Sequence, residues 1–371
     1  MAKKKTTMQM EMNTLHLPSE LITEILLRLP VKFLIRFKCV SKSWFSLISH
    51  PHFAISHSQI TSANRILFIS HQYPSIKFQC IDFEINGNRT TLNHDFLLPR
   101  RPYSRYQIKG SCRGFIFLHR NVDTWIWNPS SGIHKQIPLS PFDSKLHGSR
   151  THNLYGFGYD HSRDDYLVVI LTTYDHIANR SSHLEFFSLR DNMWNEIGGT
   201  PFTYLSIIGD HTCGSFINGA IHWLADKSCD LPVNHIIVAF DLIERKLFEM
   251  PIPNNFHPYR EFYSLWVFEE FLSLFAMDYD NHLIEIWVMK EYKQHLSWTK
   301  TIVIRDDHYI PFTKPLCGTK SGDIIGKDGY RLVKYNSKGQ LLEYLPIEPR
   351  TRDLILYTES LFSLPGDCEQ V

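Results

Sequence analysis

The stretch DYDNHLIEIWVM, residues 278 to 289, opens with carboxylates at the first and third places of a calcium-loop spacing, where hard oxygen donors would surround a divalent cation. His282 takes the third ligand position and Met289 the last, so the closing carboxylate is missing. GFGYDHS, from Gly156, carries two glycines of a dinucleotide-binding pattern and no following helix. Both stretches are expected to be turns. Twenty histidines are present, yet no pair sits at metal-ligating spacing on an identifiable helix, and His211 and Cys213 merely alternate along a strand edge. HExxH, GxSxG and Walker patterns do not occur. The expectation is a chain with no catalytic residue, no bound metal and no cofactor, whose chemistry is noncovalent recognition.

Residue types suited to recognition concentrate in five long, varied segments near 140–153, 173–183, 226–234, 253–261 and 305–312. From these and their flanks come the candidate target contacts Tyr155, His176, Arg180, His257, Tyr259, Arg260 and Tyr309. Arg and Tyr combine contact area with directed hydrogen bonds. The excess of Arg and His over acid suits an acidic or phosphorylated segment of a partner protein.

A scaffold must hold these segments. After residue 60 the chain turns to short strands rich in Ile, Val, Phe, Tyr and Trp, bounded by Gly, Asn, Asp and Pro. Six similar strand pairs recur: CIDFEINGNRTTL, TWIWNPSSGIHKQI, LEFFSLRDNMWNEI, IVAFDLIERKLFEM, EIWVMKEYKQHLSW and RLVKYNSKGQLLEY. Their equivalent aromatic residues, Phe83, Trp127, Phe187, Phe240, Trp287 and Tyr335, are spaced by 44, 60, 53, 47 and 48 residues, a period in the range of propeller blades. Further strands, such as GSCRGFIFL, YGFGYD with DYLVVIL, and GSFINGAIHWL, bring each unit to about four. The expected fold is mainly β, a six-bladed β-propeller behind a small N-terminal α domain, with an irregular β-sandwich as the structural alternative. Letter the strands of a blade a to d. The a-to-b and c-to-d connections then share one end, where NGN, SSG, RDN, IER and SKG are tight, and the long segments share the other.

The α domain is LPSELITEILLRLPVKFLIRFKCVSKSWFSLI, residues 17 to 48. Leu21, Ile22, Ile25, Leu26 and Leu29 form an apolar stripe at helical spacing, with Leu27 outside it. Pro18 and Ser19 start this helix and Pro30 stops it. A second helix runs from Val31 to about Lys38 and a third from Ser41 to Ser49, ended by Pro51. Three short helices bury too little surface to stand comfortably alone. With one cysteine and no metal-ligand set in the segment, the surplus face is covered by the rest of the chain or by another protein.

The whole chain has 371 residues, 43% hydrophobic and 21% charged, with net charge +1. That is an ordinary globular balance without a strong nucleic-acid footprint. A helix-turn-helix using Lys32, Arg36, Lys38 and Lys42 on phosphates is an alternative, as is a propeller enzyme. The turn lacks glycine, and Trp44 and Phe45 make the candidate recognition helix apolar. Lys3, Lys4 and Lys5 precede no apolar run, so residues 1–14 are expected to be a disordered tail and not a secretory signal. Seven cysteines without a CxxC pair fit reduced thiols of the cytoplasm or nucleus. The sequons at Asn88 and Asn179 then have no consequence, and no window is apolar enough to span a membrane.

Leu17, Pro18, ILLRLPVKFLIRFKCVSKSW and Trp44 resemble the F-box, over residues 15–60. WNPSSG, YGFGYD, FFSLRDNMWNEI and FINGAIHWLA make residues 65–361 similar to the associated domain of the large plant F-box family, including its kelch-repeat-like and S-locus-like branches. Kelch repeats carry paired glycines in each blade, whereas Gly198 and Gly199 are the only such pair here. The resemblance implies that the helices dock on a Skp-type adaptor bound to a cullin scaffold while the β domain holds a target protein for ubiquitin transfer. Positions matching the motif, and hence candidate adaptor contacts, are Leu17, Pro18, Ile25, Leu26, Pro30, Leu34, Val40 and Trp44. Residues 362–371 are expected to be a loose tail.

Overall fold

Pro18 and Pro30 each stand immediately before a helix with ψ near that of an extended chain, 143° and 145°. They set the direction of entry to α1 (Ser19–Leu27) and α2 (Val31–Phe37) without spending a backbone donor. α3 (Lys42–Ser49) is capped by Ser41, whose hydroxyl accepts from the Trp44 amide at 3.1 Å. Pro51 ends α3 as expected, and it also occupies the first turn of a fourth helix, α4 (Pro51–Ile60). The three-helix expectation is corrected accordingly. α4 satisfies the end of α1: His57 Nε2 lies 2.8 Å from the Leu29 carbonyl, and the Thr61 hydroxyl donates to the Leu27 carbonyl at 2.9 Å. Carbonyls in a last helical turn lack intrahelical partners, so this contact holds α1 and α4 together.

The computed structural model of the chain describes residues 17–365 apart from 62, 73–74, 84–87, 93–96, 98–104, 122, 143–150, 176–179, 201–204, 207–211, 227–234, 255, 257–262, 279–282, 306–313, 320, 330 and 348–350. Two compact units result, residues 1–62 and 63–371. The expected N-terminal tail lies outside the described residues.

The second unit is six antiparallel sheets arranged as propeller blades. Blade 1 holds β1 (Asn64–Gln72), β2 (Ser75–Asp82) and β3 (Asn88–Leu92). Blade 2 is β4 (Gln107–Cys112), β5 (Phe115–Arg120), β6 (Asp123–Trp127) and β7 (His134–Ile137). Blade 3 is β8 (Thr151–Asp160), β9 (Asp165–Asp175), β10 (Arg180–Ser188) and β11 (Met193–Thr200). Blade 4 begins with the short β12 (Leu205–Ser206) and β13 (Ser215–Ile217) and continues through β14 (Ala220–Asp226), β15 (His235–Asp241) and β16 (Lys246–Pro251). Blade 5 is β17 (Tyr263–Phe268), β18 (Phe271–Asp278), β19 (Leu283–Met289) and β20 (Trp298–Arg305). Blade 6 is β21 (Lys314–Gly318), β22 (Ile324–Asp328), β23 (Arg331–Tyr335) and β24 (Leu341–Pro346). The six aromatic residues that mark the repeat all lie on or directly after the third strand of a blade, and all are buried. There they fill the layers between neighbouring sheets.

The last strand, β25 (Thr351–Thr358), completes blade 1 by pairing antiparallel with β1, Thr358 opposite Asn64 and Thr351 opposite Ser70. The two ends of the propeller sequence thus share one sheet, which closes the ring and removes an open edge. Residues 359–365, which include the start of the expected tail, are packed, and residues 366–371 of that tail lie outside the described residues. Asn128, the asparagine of WNPSSG, is fully buried and donates to the Ser360 carbonyl at 3.3 Å and hydroxyl at 3.1 Å and to the Phe362 carbonyl at 3.4 Å. Its own carbonyl accepts from the Ser130 and Ser131 amides, forming the turn that follows. Leu364 is buried with Phe115, Phe157 and Tyr166, and the Arg113 guanidinium sits 3.8 Å from the Tyr159 ring centre and 3.9 Å from that of Phe362. Gly114, at φ +83°, lies where a Cβ would come within 2.0 Å of the Ser360 hydroxyl, so any side chain here would displace the segment.

Asn128→Ala removes both the turn and the clasp. It is expected to cost roughly 2–4 kcal/mol, since buried amide partners are left unsatisfied. Urea unfolding would measure the loss, with limited proteolysis showing earlier cleavage after β25 than in the parent chain.

Candidate functional site

Helix α1 carries more apolar surface than its unit covers. Leu26 and Leu27 enter a core with Val31, Leu34, Ile48, Phe53 and Ala54. Leu21 and Ile25, expected within the buried stripe, are 50% and 53% exposed. Leu27, expected outside it, is buried. The wide apolar face has been divided, the inner half facing α4 and the outer half left in water. Leu21 and Ile25, one helical turn apart, make an exposed ridge on α1, Leu17 is exposed ahead of the helix, and Phe33, Val40 and Phe45 add apolar exposure on the segments that follow. Trp44 is half-buried, its ring edge-on to Phe37 at 5.5 Å.

The eight candidate adaptor residues therefore separate. Leu17, Pro18, Ile25, Pro30 and Val40 are exposed, Trp44 is intermediate, and Leu26 and Leu34 belong to the unit's own core. Leu21 and Phe33 were missed. Their exposure depends on where α4 packs, and a helix not expected from the sequence could not assign it. Among the basic residues considered for phosphate contacts, Lys38 is partly desolvated, which lowers its pKa, and it points 6.0 Å from the Phe45 ring centre.

At the other unit, the observed topology puts all five long segments in b-to-c or d-to-a connections, which emerge at one end of the ring. The opposite end carries the tightest turns, where Arg113-Gly114, Asn218-Gly219 and Glu269-Glu270 each close a hairpin in two residues with positive φ at both. His176, His257, Tyr259, Arg260 and Tyr309 lie outside the described residues, and Arg180 opens β10. Asp280 and His282 of the calcium-like stretch are outside them too, while Glu285 is on β19, ion-paired with Lys300 at 2.6 Å. Among the described residues no group of three His, Cys, Asp or Glu could hold a metal ion.

Tyr155 is not a loop residue. It is buried on β8, the innermost strand of blade 3, at the long-connection end. Its hydroxyl lies 3.2 Å from His119 Nε2 on β5 and accepts from Asn153 Nδ2 at 3.2 Å, while His119 Nδ1 lies 3.1 Å from the Thr124 hydroxyl. Lys109, on β4, places its ammonium 4.8 Å from the centre of the Tyr155 ring and donates to the Thr212 hydroxyl at 2.7 Å. Cys213 follows, its thiol 3.2 Å from the Ile108 carbonyl. Burial, and then the neighbouring Lys109 charge, push His119 down to about 4, so its ring is neutral at physiological pH. Lys109, His119, Asn153 and Thr212 were not foreseen. The one available signal was a charged residue, the lysine, in the short inner strand QIKGSC.

Comparison with known proteins bears on both surfaces. The F-box domain family model matches residues 14–56, and that of the F-box associated beta propeller domain matches residues 52–327. The chain belongs to the F-box family with an F-box-associated β-propeller. An F-box/kelch-repeat protein of Arabidopsis thaliana is 32% identical over 367 residues, covering 95% of this chain and 96% of that protein. The F-box protein CPR1 of the same plant is 25% identical over 358 residues, covering 90% of this chain and 84% of that protein. In this F-box protein the exposed ridge of α1 therefore lies within the matched F-box, and the Tyr155 cluster within the matched propeller. No described helix is long and apolar enough to cross a membrane.

The buried histidines make stability depend on pH. His222, fully buried on β14 between the Ser215 carbonyl and the Tyr292 hydroxyl, is also pushed down to about 4, mainly by burial. Each folded pKa lies below the ordinary 6.5, so between pH 6.5 and 4 the unfolded chain binds more protons. The stabilisation is complete above 6.5 and falls as pH drops through this window, by roughly 3 kcal/mol per histidine on full loss. Urea midpoints measured from pH 7 to 4 should show this decline. His119→Gln and His222→Gln should each flatten it by about half, and an unchanged slope in both variants would refute the assignment.

Proposed function

We propose that this F-box protein is the substrate-recognition subunit of a Skp/cullin/F-box ubiquitin ligase, with the F-box docking on the adaptor and the propeller holding a target protein for ubiquitination and degradation. The observation that carries this reading is the exposed ridge of Leu21 and Ile25, with Leu17 exposed ahead of the helix, beside a core already complete without them. Contiguous apolar surface in water marks an interaction site, and large side chains at its centre carry most of the binding energy. Leu17, Pro18, Ile25, Pro30, Val40 and Trp44 supply the docking face together with Leu21 and Phe33. Leu26 and Leu34 support it from within.

The protein on this reading makes and breaks no bonds itself. It brings a target, through the long-connection end of the propeller, to a ligase assembled on the cullin scaffold, in the cytoplasm or nucleus. His176, Arg180, His257, Tyr259, Arg260 and Tyr309 remain the proposed contacts on the connections, with Tyr155 at the ring's inner edge.

Co-expression of the full chain with a Skp-type adaptor tests the first half. Ile25→Lys and Leu21→Lys should abolish capture while leaving the thermal midpoint within a few degrees of the parent. Trp44→Ala should weaken capture roughly thirtyfold, the loss of a buried anchor worth about 2 kcal/mol. Leu342→Lys, an exposed site on β24, should change nothing. Capture that survives both Ile25→Lys and Leu21→Lys would show that the ridge is not the docking face.

A further inference from the structure

Lys109 is 6% exposed, and no carboxylate of a described residue lies within ion-pair distance of it. Its ammonium has three donors, of which one serves the Thr212 hydroxyl, while a ring face lies on another side. A hydroxyl and a ring face replace part of the lost hydration, but neither carries a compensating charge. Buried charges in folded proteins are paired, because desolvation is costly until an opposite charge is supplied. The neighbours do not supply one: His119 is neutral, and Tyr155 presents its ring face to the ammonium and its hydroxyl to His119. Asn153, beside Tyr155, donates its amide to that phenol while its carbonyl oxygen is buried and has no hydrogen-bond partner among the described residues. Among the described residues, one buried cation lacks an anion and one buried acceptor lacks a donor within the same cluster.

The location adds to the chemistry. Lys109 is the third residue of β4, Asn153 and Tyr155 the third and fifth of β8, His119 the fifth of β5, and Thr212 precedes β13. β4, β8 and β13 are inner strands, and these positions all lie toward the end where the long connections emerge. The cluster therefore sits where the inner strands of blades 2, 3 and 4 come together, toward the end proposed to meet the target.

We propose that the polar cluster where the inner strands of blades 2, 3 and 4 meet is an anion-binding site, with Lys109 its charged anchor and Asn153, Tyr155 and Thr212 its polar lining, and that it takes an anionic oxygen group of the target. The group is a carboxylate of an acidic side chain or the phosphoryl oxygens of a phosphorylated residue. It completes the shell of the ammonium, and a protonated oxygen or amide adjoining it in the target supplies the donor that the Asn153 carbonyl lacks. The site rests on the receptor reading only for the source of the anion.

The test titrates the full chain with inorganic phosphate and, separately, with glutarate, against chloride at fixed ionic strength and pH 7, reading thermal midpoint and calorimetric affinity. The parent should bind at least one of them saturably. Lys109→Met should weaken that binding at least about tenfold, Lys109→Arg should keep it within about threefold, and Lys246→Met, at an exposed lysine, should leave it unchanged. Thr212→Asp places a carboxylate beside the ammonium. It should raise the midpoint without added anion and abolish the response, a gain that a misfolded variant would not show. Phosphate preference assigns a phosphorylated residue as the ligand, and glutarate preference an acidic side chain. No saturable binding to the parent, equal binding by parent, Lys109→Met and Lys246→Met, or a lowered midpoint in Thr212→Asp would each overturn the proposal. Adaptor capture is measured independently of these titrations, so failure of one leaves the other readable.

Discussion

The pairing of β25 with β1 is the constraint on which the rest of the propeller depends. Blade 1 takes three strands from the start of the unit and its innermost strand from the end, across nearly the whole propeller sequence. Loop-closure entropy grows only as the logarithm of length, each doubling adding about 0.6 kcal/mol. A pairing that spans nearly 300 residues therefore costs little more than one spanning 100, and a single strand's ladder with its flanking clasp can hold the ring shut. The clasp is the buried Asn128 amide reaching Ser360 and Phe362, with the Arg113 guanidinium between two rings. Every inner strand has its neighbours on both sides only while this closure persists, so the polar cluster on the inner strands inherits its geometry from it.

Much of this architecture was legible because it is periodic. The aromatic residue on each third strand recurs at blade spacing, and tight turns with Asn or Gly beside them mark strand ends. What was not legible has one physical origin: periodicity shows that a face exists but not what covers it. On α1 the apolar residues span too much of the circumference to name one buried stripe. Leu21 and Ile25 went to water and Leu27 to the core because α4, whose sequence PHFAISHSQI has weak amphipathicity, packs on that side. The C-terminal segment misled in the opposite way. LPGD looks like a loose end, yet Phe362 and Leu364 are held by partners more than two hundred residues earlier. Of the recognition residues, Tyr155 was noticed for its type and its proximity to a long connection, whereas its partners come from two other strands and the approach to a third. No local pattern joins Lys109, His119 and Thr212.

The two surfaces differ in how they tolerate change. The F-box ridge is built on side chains that point away from a completed core, so substitutions there act on binding before stability. The polar cluster is built on the inner strands themselves, where Lys109 of blade 2 reaches Thr212 at the start of blade 4 and the Trp223 indole of blade 4 donates to the Tyr155 carbonyl at 2.7 Å. Substitution there disturbs the ring as well as the ligand, which restricts how far the cluster can vary. The connections above it carry no such burden, because the ladders at their bases hold without them. A propeller of this kind can then keep one charged anchor at its axis for a shared feature of its targets and leave discrimination among them to the connections. A cation desolvated by the scaffold is suited to the first role, since its attraction to an anion is screened far less than that of a lysine on a loop.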